Sequence, residues 1–203
     1  GSASYGRLLV ESRFSTDTMA PVDGHLLHLT YMSGTAGAER VPIFPISVVG
    51  SPAIGQFNHY AVTVVNSGIT SPSDKGLRVK TYLNGKLIEN KLTGTAVSDV
   101  TGNSTGGINA NIGAYRTYPT EYVKAAGIVA GVSSFEGAGN LTASVDEFRF
   151  WKISRTERQI GTNWFTQVGA GTNTDTSNTD LGIYFKFNEG ITGNSSSDQT
   201  ILD

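Results

Sequence analysis

The chain has 203 residues, 25 of them glycine and none cysteine, with 15 basic side chains against 17 acidic ones. The lack of cysteine excludes disulfides and thiolate metal sites, and the lack of any basic stripe argues against a nucleic-acid binder. No apolar run approaches the ~20 residues of a membrane span, so membrane insertion is not expected.

Abundant Gly, Thr, Ser and Asn, with few runs of helix formers, favour β structure. Short apolar stretches recur between turn signals, the pattern of a sandwich. A domain of this length buries roughly 70% of its unfolded surface and needs no staples. Residues 1–4 read as a cloning scar and linker, and residues 5–203 as a single domain cut from a larger protein.

In chain order, Arg7–Phe14 is the first predicted strand, with Leu8 and Val10 on one face. Asp23-Gly24 turns into His25–Met32, where Leu27, Leu29 and Tyr31 alternate with His28 and Thr30. Ser33–Ala38 is a predicted loop. Val41–Val49 is a strand whose Pro42 and Pro45 put it at an edge or demand a bulge. In Phe57–Asn66, Tyr60, Val62 and Val64 share one face, and His59, Ala61 and Thr63 the other. His59 reads as a hydrogen-bonded strand residue, because no acid or nucleophile lies near it in sequence. Asn84-Gly85 between two alternating runs signals a type I′ hairpin.

Tyr115–Asn140 is too long for a plain connection and carries Tyr115, Arg116, Tyr118 and Tyr122. Leu141–Trp151 reads as one long strand, with Val145, Phe148, Phe150 and Trp151 as side chains to bury. Ser154 and Glu157 then form a capping box opening a helix over about Ser154–Phe165. Ile160, Trp164 and Phe165 are spaced to turn one helix face back onto the strand. Gly169–Thr179 is a polar surface loop, and Gly182–Asn188 a last strand with Tyr184 and Phe185 as core candidates.

Several of these segments resemble one family. V-D-E-F-R-F-W-K-I-S-R-T-E-R-Q-I, from Val145 to Ile160, is similar to the penultimate-strand signature of laminin-G-like domains in the concanavalin A-like lectin/glucanase superfamily. Phe57-x-His59-x-Ala61 resembles that family's aromatic-x-His-x-Ala strand, with Phe where Trp is usual. Tyr82-x-Asn84-Gly85 resembles its hairpin, and Ile112-Gly113-Ala114 the strand that follows, in the expected order. The segment from Tyr184 to Gly190 resembles the family's opening strand but stands near the end of the chain. It either completes a sheet of this domain, the reading favoured here, or begins a second module. The resemblance implies an all-β, two-sheet antiparallel jelly-roll β-sandwich with one short helix. It also implies Asp146 as a ligand of a structural Ca²⁺, together with backbone carbonyls from distant segments. The plainer alternative is an Asp146 that accepts backbone amides or pairs with Arg149.

Hydrolases of this superfamily place two carboxylates on one strand as E-x-D-x-x-E, and no such run exists in the sequence. Glu11, Asp17, Glu39, Glu89, Asp99, Glu121 and Glu136 are scattered singly. Asp146 and Glu147 are adjacent, which on a strand sends them to opposite faces. No nucleophile elbow, zinc-protease, P-loop or dinucleotide motif occurs, so the chain is not expected to be an enzyme. Asp175, Asn178 and Asp180 lack the glycine and glutamate of a calcium loop and read as solvated.

For sugar binding, Tyr115, Arg116, Tyr118 and Tyr122 supply rings and a charged donor on one loop. The plainer role of these tyrosines is to fold the loop onto the sandwich. Trp151 and Trp164 belong to the strand–helix contact. The expected function is a non-catalytic carbohydrate-binding or adhesion module of a secreted, cell-surface or phage virion protein. Its expected partners are a glycan and other domains or chains of the parent assembly, with no nucleic acid. A purely structural or protein-binding domain is the first alternative, and a polysaccharide hydrolase or lyase the second.

Overall fold

Three strands from the first quarter of the chain pair in succession: β1 (Gly6–Glu11), β2 (His25–Ser33) and β3 (Ala36–Pro45). The computed structural model describes residues 6–13, 21–50, 56–67, 75–97, 111–113, 141, 143–168 and 180–187. β2 is central and antiparallel to both neighbours. Its turn into β3 is tighter than predicted, with Gly34-Thr35 at its tip and Ala36 already in the strand. Gly37 is what permits this. A Cβ there would run into the Tyr31 carbonyl, and its φ of +116° suits glycine. The sheet's register shifts between Leu29 and Tyr31, where Arg40 takes a φ of +52° and donates its N–H to Thr30 Oγ1 at 3.0 Å. Among the described strands β3 is an edge strand, one of the two readings its prolines offered, and its bulge falls at Arg40, ahead of Pro42. A single helical turn, α1 (Ile46–Val49), follows Pro45, so the described residues hold two α-helices where one was expected, besides a 3-10 turn at Val22–Gly24.

The second sheet is also antiparallel, ordered β4 (Tyr60–Ser67), β5 (Gly76–Leu83), β6 (Lys86–Thr93). Asn84 and Gly85 both adopt positive φ, +48° and +78°, and close the β5–β6 hairpin in two residues. β3 lies over β5 and β6. Leu29, Ala38, Val41, Ile43 and Phe44 from one sheet meet Leu77 and Val79 from the other, with Val97 completing the core. The Phe44 ring stands edge-on to Tyr60 at 5.1 Å. The chain is therefore an all-β antiparallel sandwich. Jelly-roll winding needs strands that alternate between sheets. Among the described strands, neighbours in each sheet are consecutive in the chain.

Polar groups also tie the sheets together: Thr95, just past β6, accepts from the Gly37 N–H at 2.9 Å and donates its own N–H to the Gly37 carbonyl at 2.9 Å, and Glu89 makes a second tie. Glu89 on β6 accepts from the Phe44 N–H at 3.0 Å, from Thr81 Oγ1 at 3.4 Å and from Lys91 Nζ at 3.1 Å. Lys91 in turn donates to the Pro42 carbonyl on β3. Phe44 is fully buried and has a φ of +59°, so its amide can join no ordinary ladder, and Glu89 supplies its acceptor.

β7 (Phe148–Trp151) and β8 (Leu181–Phe185) form a two-stranded sheet. The strand predicted from Leu141 thus begins only at Phe148, after Glu147 with its φ of +54°. α2 (Glu157–Asn163) starts later than predicted. Its capping box is Thr156 with Gln159, not Ser154 with Glu157. Thr156 Oγ1 accepts from the Gln159 N–H at 3.2 Å, and Gln159 Oε1 accepts from the Thr156 N–H at 2.9 Å. This choice places Glu157 in the first turn, where the helix dipole favours a carboxylate. It also leaves Arg155 outside the helix, stacked 4.3 Å over the Trp151 ring and 3.7 Å from Asp180. By compactness the chain divides into two units, Gly1–Val100 with Arg149–Tyr184, and Thr101–Phe148 with Phe185–Asp203.

Candidate functional site

The hairpin turn is a docking point as well as a reversal. Asn84 Oδ1 accepts from the His59 N–H at 2.8 Å, and the Asn84 N–H donates to the His59 carbonyl at 2.9 Å. The Asn84 amide nitrogen also donates to Asn58 Oδ1 at 2.9 Å. One side chain thus extends the ladder past the start of β4 and fixes His59. Gly85 lies under the indole of Trp164, so close that any Cβ would run into the ring. The N-G dipeptide is therefore needed twice, for its backbone and for its empty side.

Trp164 links inward and outward. Its ring is 6.3 Å from His59 on one side and 5.4 Å, edge-to-face, from Phe165 on the other. Both distances fall in the range where aromatic pairs attract. Ile160, one turn earlier, is the buried residue of α2. Phe165, expected on the same buried face, is instead 68% exposed. The result is a row of three rings whose inner members are anchored and whose outermost faces solvent. Phe57 is a second exposed ring of this unit, at 72%.

Arg149 braces the underside. It donates to the Asn163 and Thr166 carbonyls at the end of α2, and its guanidinium lies 5.6 Å over the Tyr184 ring. Burial first, then the Arg149 charge, push the His59 pKa below its ordinary value. A neutral imidazole with that bias is a packing partner for Trp164 rather than a proton carrier at neutral pH. The expected strand from Phe57 begins only at Tyr60, so His59 lies just ahead of it, bonded through its backbone while its buried ring Nδ1 has no hydrogen-bond partner among the described residues. Burial, and next the Glu157 carboxylate, raise the pKa of Tyr82, which is 1% exposed.

The other residues singled out in the sequence fare differently. Tyr115, Arg116, Tyr118 and Tyr122 lie outside the described residues, so no geometry is assigned to them. Ile112-Gly113 forms a bend, not a strand, and the Gly113 carbonyl accepts from the Leu141 N–H at 2.7 Å. Asp146 is exposed and lies outside any strand. Among the described residues no group of three or more His, Asp or Glu gathers as a metal site. What Asp146 offers is a solvent-facing carboxylate in a non-strand segment. Beside it, in the second unit, an open cleft of about 480 Å³ is walled by Ile112, Leu141, Ala143, Val145, Phe185 and Phe187. The side chains of its walls are apolar, with no carboxylate among them, and backbone groups supply the polar part of the lining.

Pattern alone puts Phe165 on the buried helix face and leaves Glu89 a scattered acid. The exposed ring follows from the helix ending at Asn163, which turns Phe165 away from the stripe set by Ile160. No family model, no curated protein and no solved structure matches the chain.

Proposed function

We propose that the chain is a non-catalytic carbohydrate-binding or adhesion module of laminin-G-like type, working at a cell surface, in secretion or on a virion. The observation that carries this reading is the exposed Phe165 ring held on an anchored Trp164. A ring fixed from behind and open in front can stack on the apolar face of a pyranose at little entropic cost. The placement of the acids supports the same reading. Glu11 and Glu39 lie beside Arg40 and Arg7, Asp180 beside Arg155, and Glu89 between the sheets. Carboxylates held this way have structural work. Asp146 is the proposed ligand of a structural Ca²⁺.

A second reading, a protein-binding surface domain, is favoured by Leu8 and Val10 on β1, each about half exposed. A glycan array probed with the full chain separates the two. Binding to a glycan class that weakens in Phe165→Ala or Tyr118→Ala supports the first. A blank array across broad glycan classes supports the second, and turnover of a polysaccharide would overturn both.

A further inference from the structure

Leu8 and Val10 are on the wrong side of the sheet to be exposed. Across the β1–β2 ladder Leu8 stands opposite Tyr31 and Val10 opposite Leu29. Directly opposed residues share a face, and Leu29 is a core residue against which Tyr31 packs. Leu8 and Val10 therefore project from the core-bearing face, yet remain 48% and 47% exposed. Among the described residues β1 has one neighbour, β2, and their register is unbroken from Gly6–Ser33 to Glu11–His28. β1 itself, G-R-L-L-V-E, has no proline, no lysine and no bulge, the devices that normally blunt an open edge.

The same six residues are self-complementary. We propose that β1 pairs antiparallel with β1 of a second copy of this chain, about a two-fold axis at Leu9, joining two three-stranded sheets into one of six. In that register Leu9 meets Leu9 once on the axis, while Leu8 meets Val10 and Arg7 meets Glu11 of the second copy twice each. Neighbouring registers lack this match. An axis at Val10 sets Arg7 against Arg13, and an axis at Leu8 sets Arg7 against Leu9. Arg7 already donates to Glu39 of its own chain at 2.5 Å, with both side chains about half exposed. A guanidinium has five N–H donors, so Arg7 can take a second carboxylate without releasing the first, and the Glu11 carboxylate, 4.0 Å from Arg40 Nε of its own chain, has lone pairs for a second donor. The pairing buries the two exposed aliphatic residues of each copy and satisfies the outward backbone groups of the edge. It does not depend on the glycan reading, and adds to it a two-fold presentation of whatever surface binds.

Sedimentation velocity of the 203-residue chain, from low to high micromolar, tests this with three variants. The unaltered chain should move from monomer to dimer across the series. Leu8→Lys/Val10→Lys should stay monomeric with an unchanged circular dichroism spectrum, since both positions are half exposed in the monomer. Arg7→Glu turns two attractive cross-strand pairs into repulsive ones and should weaken the dimer by about tenfold or more. Arg7→Gln, which removes the attraction without adding repulsion, should weaken it less than Arg7→Glu does. A chain that stays monomeric throughout would overturn the proposal. So would a dimer indifferent to the lysine pair, or one weakened no more by Arg7→Glu than by Arg7→Gln.

Discussion

Replacing Glu89 with alanine isolates one polar tie between the two sheets. The substitution removes the acceptor of the Phe44 N–H at 3.0 Å and leaves that donor buried at a fully buried residue. An unsatisfied buried donor costs about 1–3 kcal/mol. It also removes the Lys91 contact at 3.1 Å, between side chains 28% and 18% exposed. Partial exposure screens that pair, and Lys91 keeps the Pro42 carbonyl, so its loss adds about 0.5–1 kcal/mol. The total is about 2–4 kcal/mol. At ~2–4 °C per kcal/mol for a chain of this size, Tm should fall by roughly 4–16 °C. Glu89→Gln keeps an oxygen for the Phe44 amide and loses only the charge, so it should cost about 1 kcal/mol. Urea unfolding followed by far-ultraviolet circular dichroism reads both. An alanine variant within about 0.5 kcal/mol of the parent would refute the reasoning. A glutamine variant as damaged as alanine would show that the charge matters and the buried amide does not.

Further outcomes are expected from the same structure. Gly85→Ala forces a side chain to a φ of +78° and into the Trp164 ring, and should cost about 2–4 kcal/mol with a red shift of tryptophan emission. An unshifted spectrum would mean that Trp164 does not dock on the turn. His28 and His59 both have pKa values lowered chiefly by burial, with the Arg13 and Arg149 charges adding to it. The folded chain therefore binds fewer protons than the unfolded one, so their contribution to stability is lost as pH falls below about 6.5, the unfolded value. His28→Gln should shallow the fall in Tm between neutral pH and pH about 5, and an unchanged slope would assign it elsewhere. If Asp146 holds Ca²⁺, calcium at 100 times Kd should add about 2.7 kcal/mol and roughly 5–11 °C to Tm. Chelation should reverse that gain, Asp146→Ala should abolish it, and a melting curve indifferent to calcium would leave Asp146 an ordinary carboxylate.

Local rules carried far in this chain where one residue type had one use. Asn84-Gly85 announced its hairpin because few other pairs accept two positive φ values. Pro42 and Pro45 announced an edge or a bulge. The misreadings share a cause, which is that the deciding partner is distant in sequence. Gly37 read as loop because the close approach of Tyr31 is invisible in a run of glycine and alanine. Both Ser154-x-x-Glu157 and Thr156-x-x-Gln159 satisfy the capping pattern. The choice fell to tertiary contacts, since Arg155 is needed outside the helix by Trp151 and Asp180. Glu89 looked like one more scattered acid, because Phe44 with its unusual backbone lies 45 residues away. Leu8 and Val10 were rightly paired on one face, but alternation does not say whether the opposing sheet reaches far enough to cover them. Of the site residues, Trp164 is legible as a contact of the helix, but its partners are Gly85 and His59 rather than the strand before it, and Phe165, read as buried, is exposed. The tyrosines and Arg116 of the long loop lie outside the described residues.

The proposed role as a non-catalytic glycan module is tested most directly by titrating the full chain with the best glycan from an array while assaying the same sample for new reducing ends and for unsaturated lyase products. Saturable binding, weakened at least about tenfold by Phe165→Ala with Tm unchanged, is expected, with no product over extended incubation. Release of either product, or binding untouched by loss of the Phe165 ring, would contradict it.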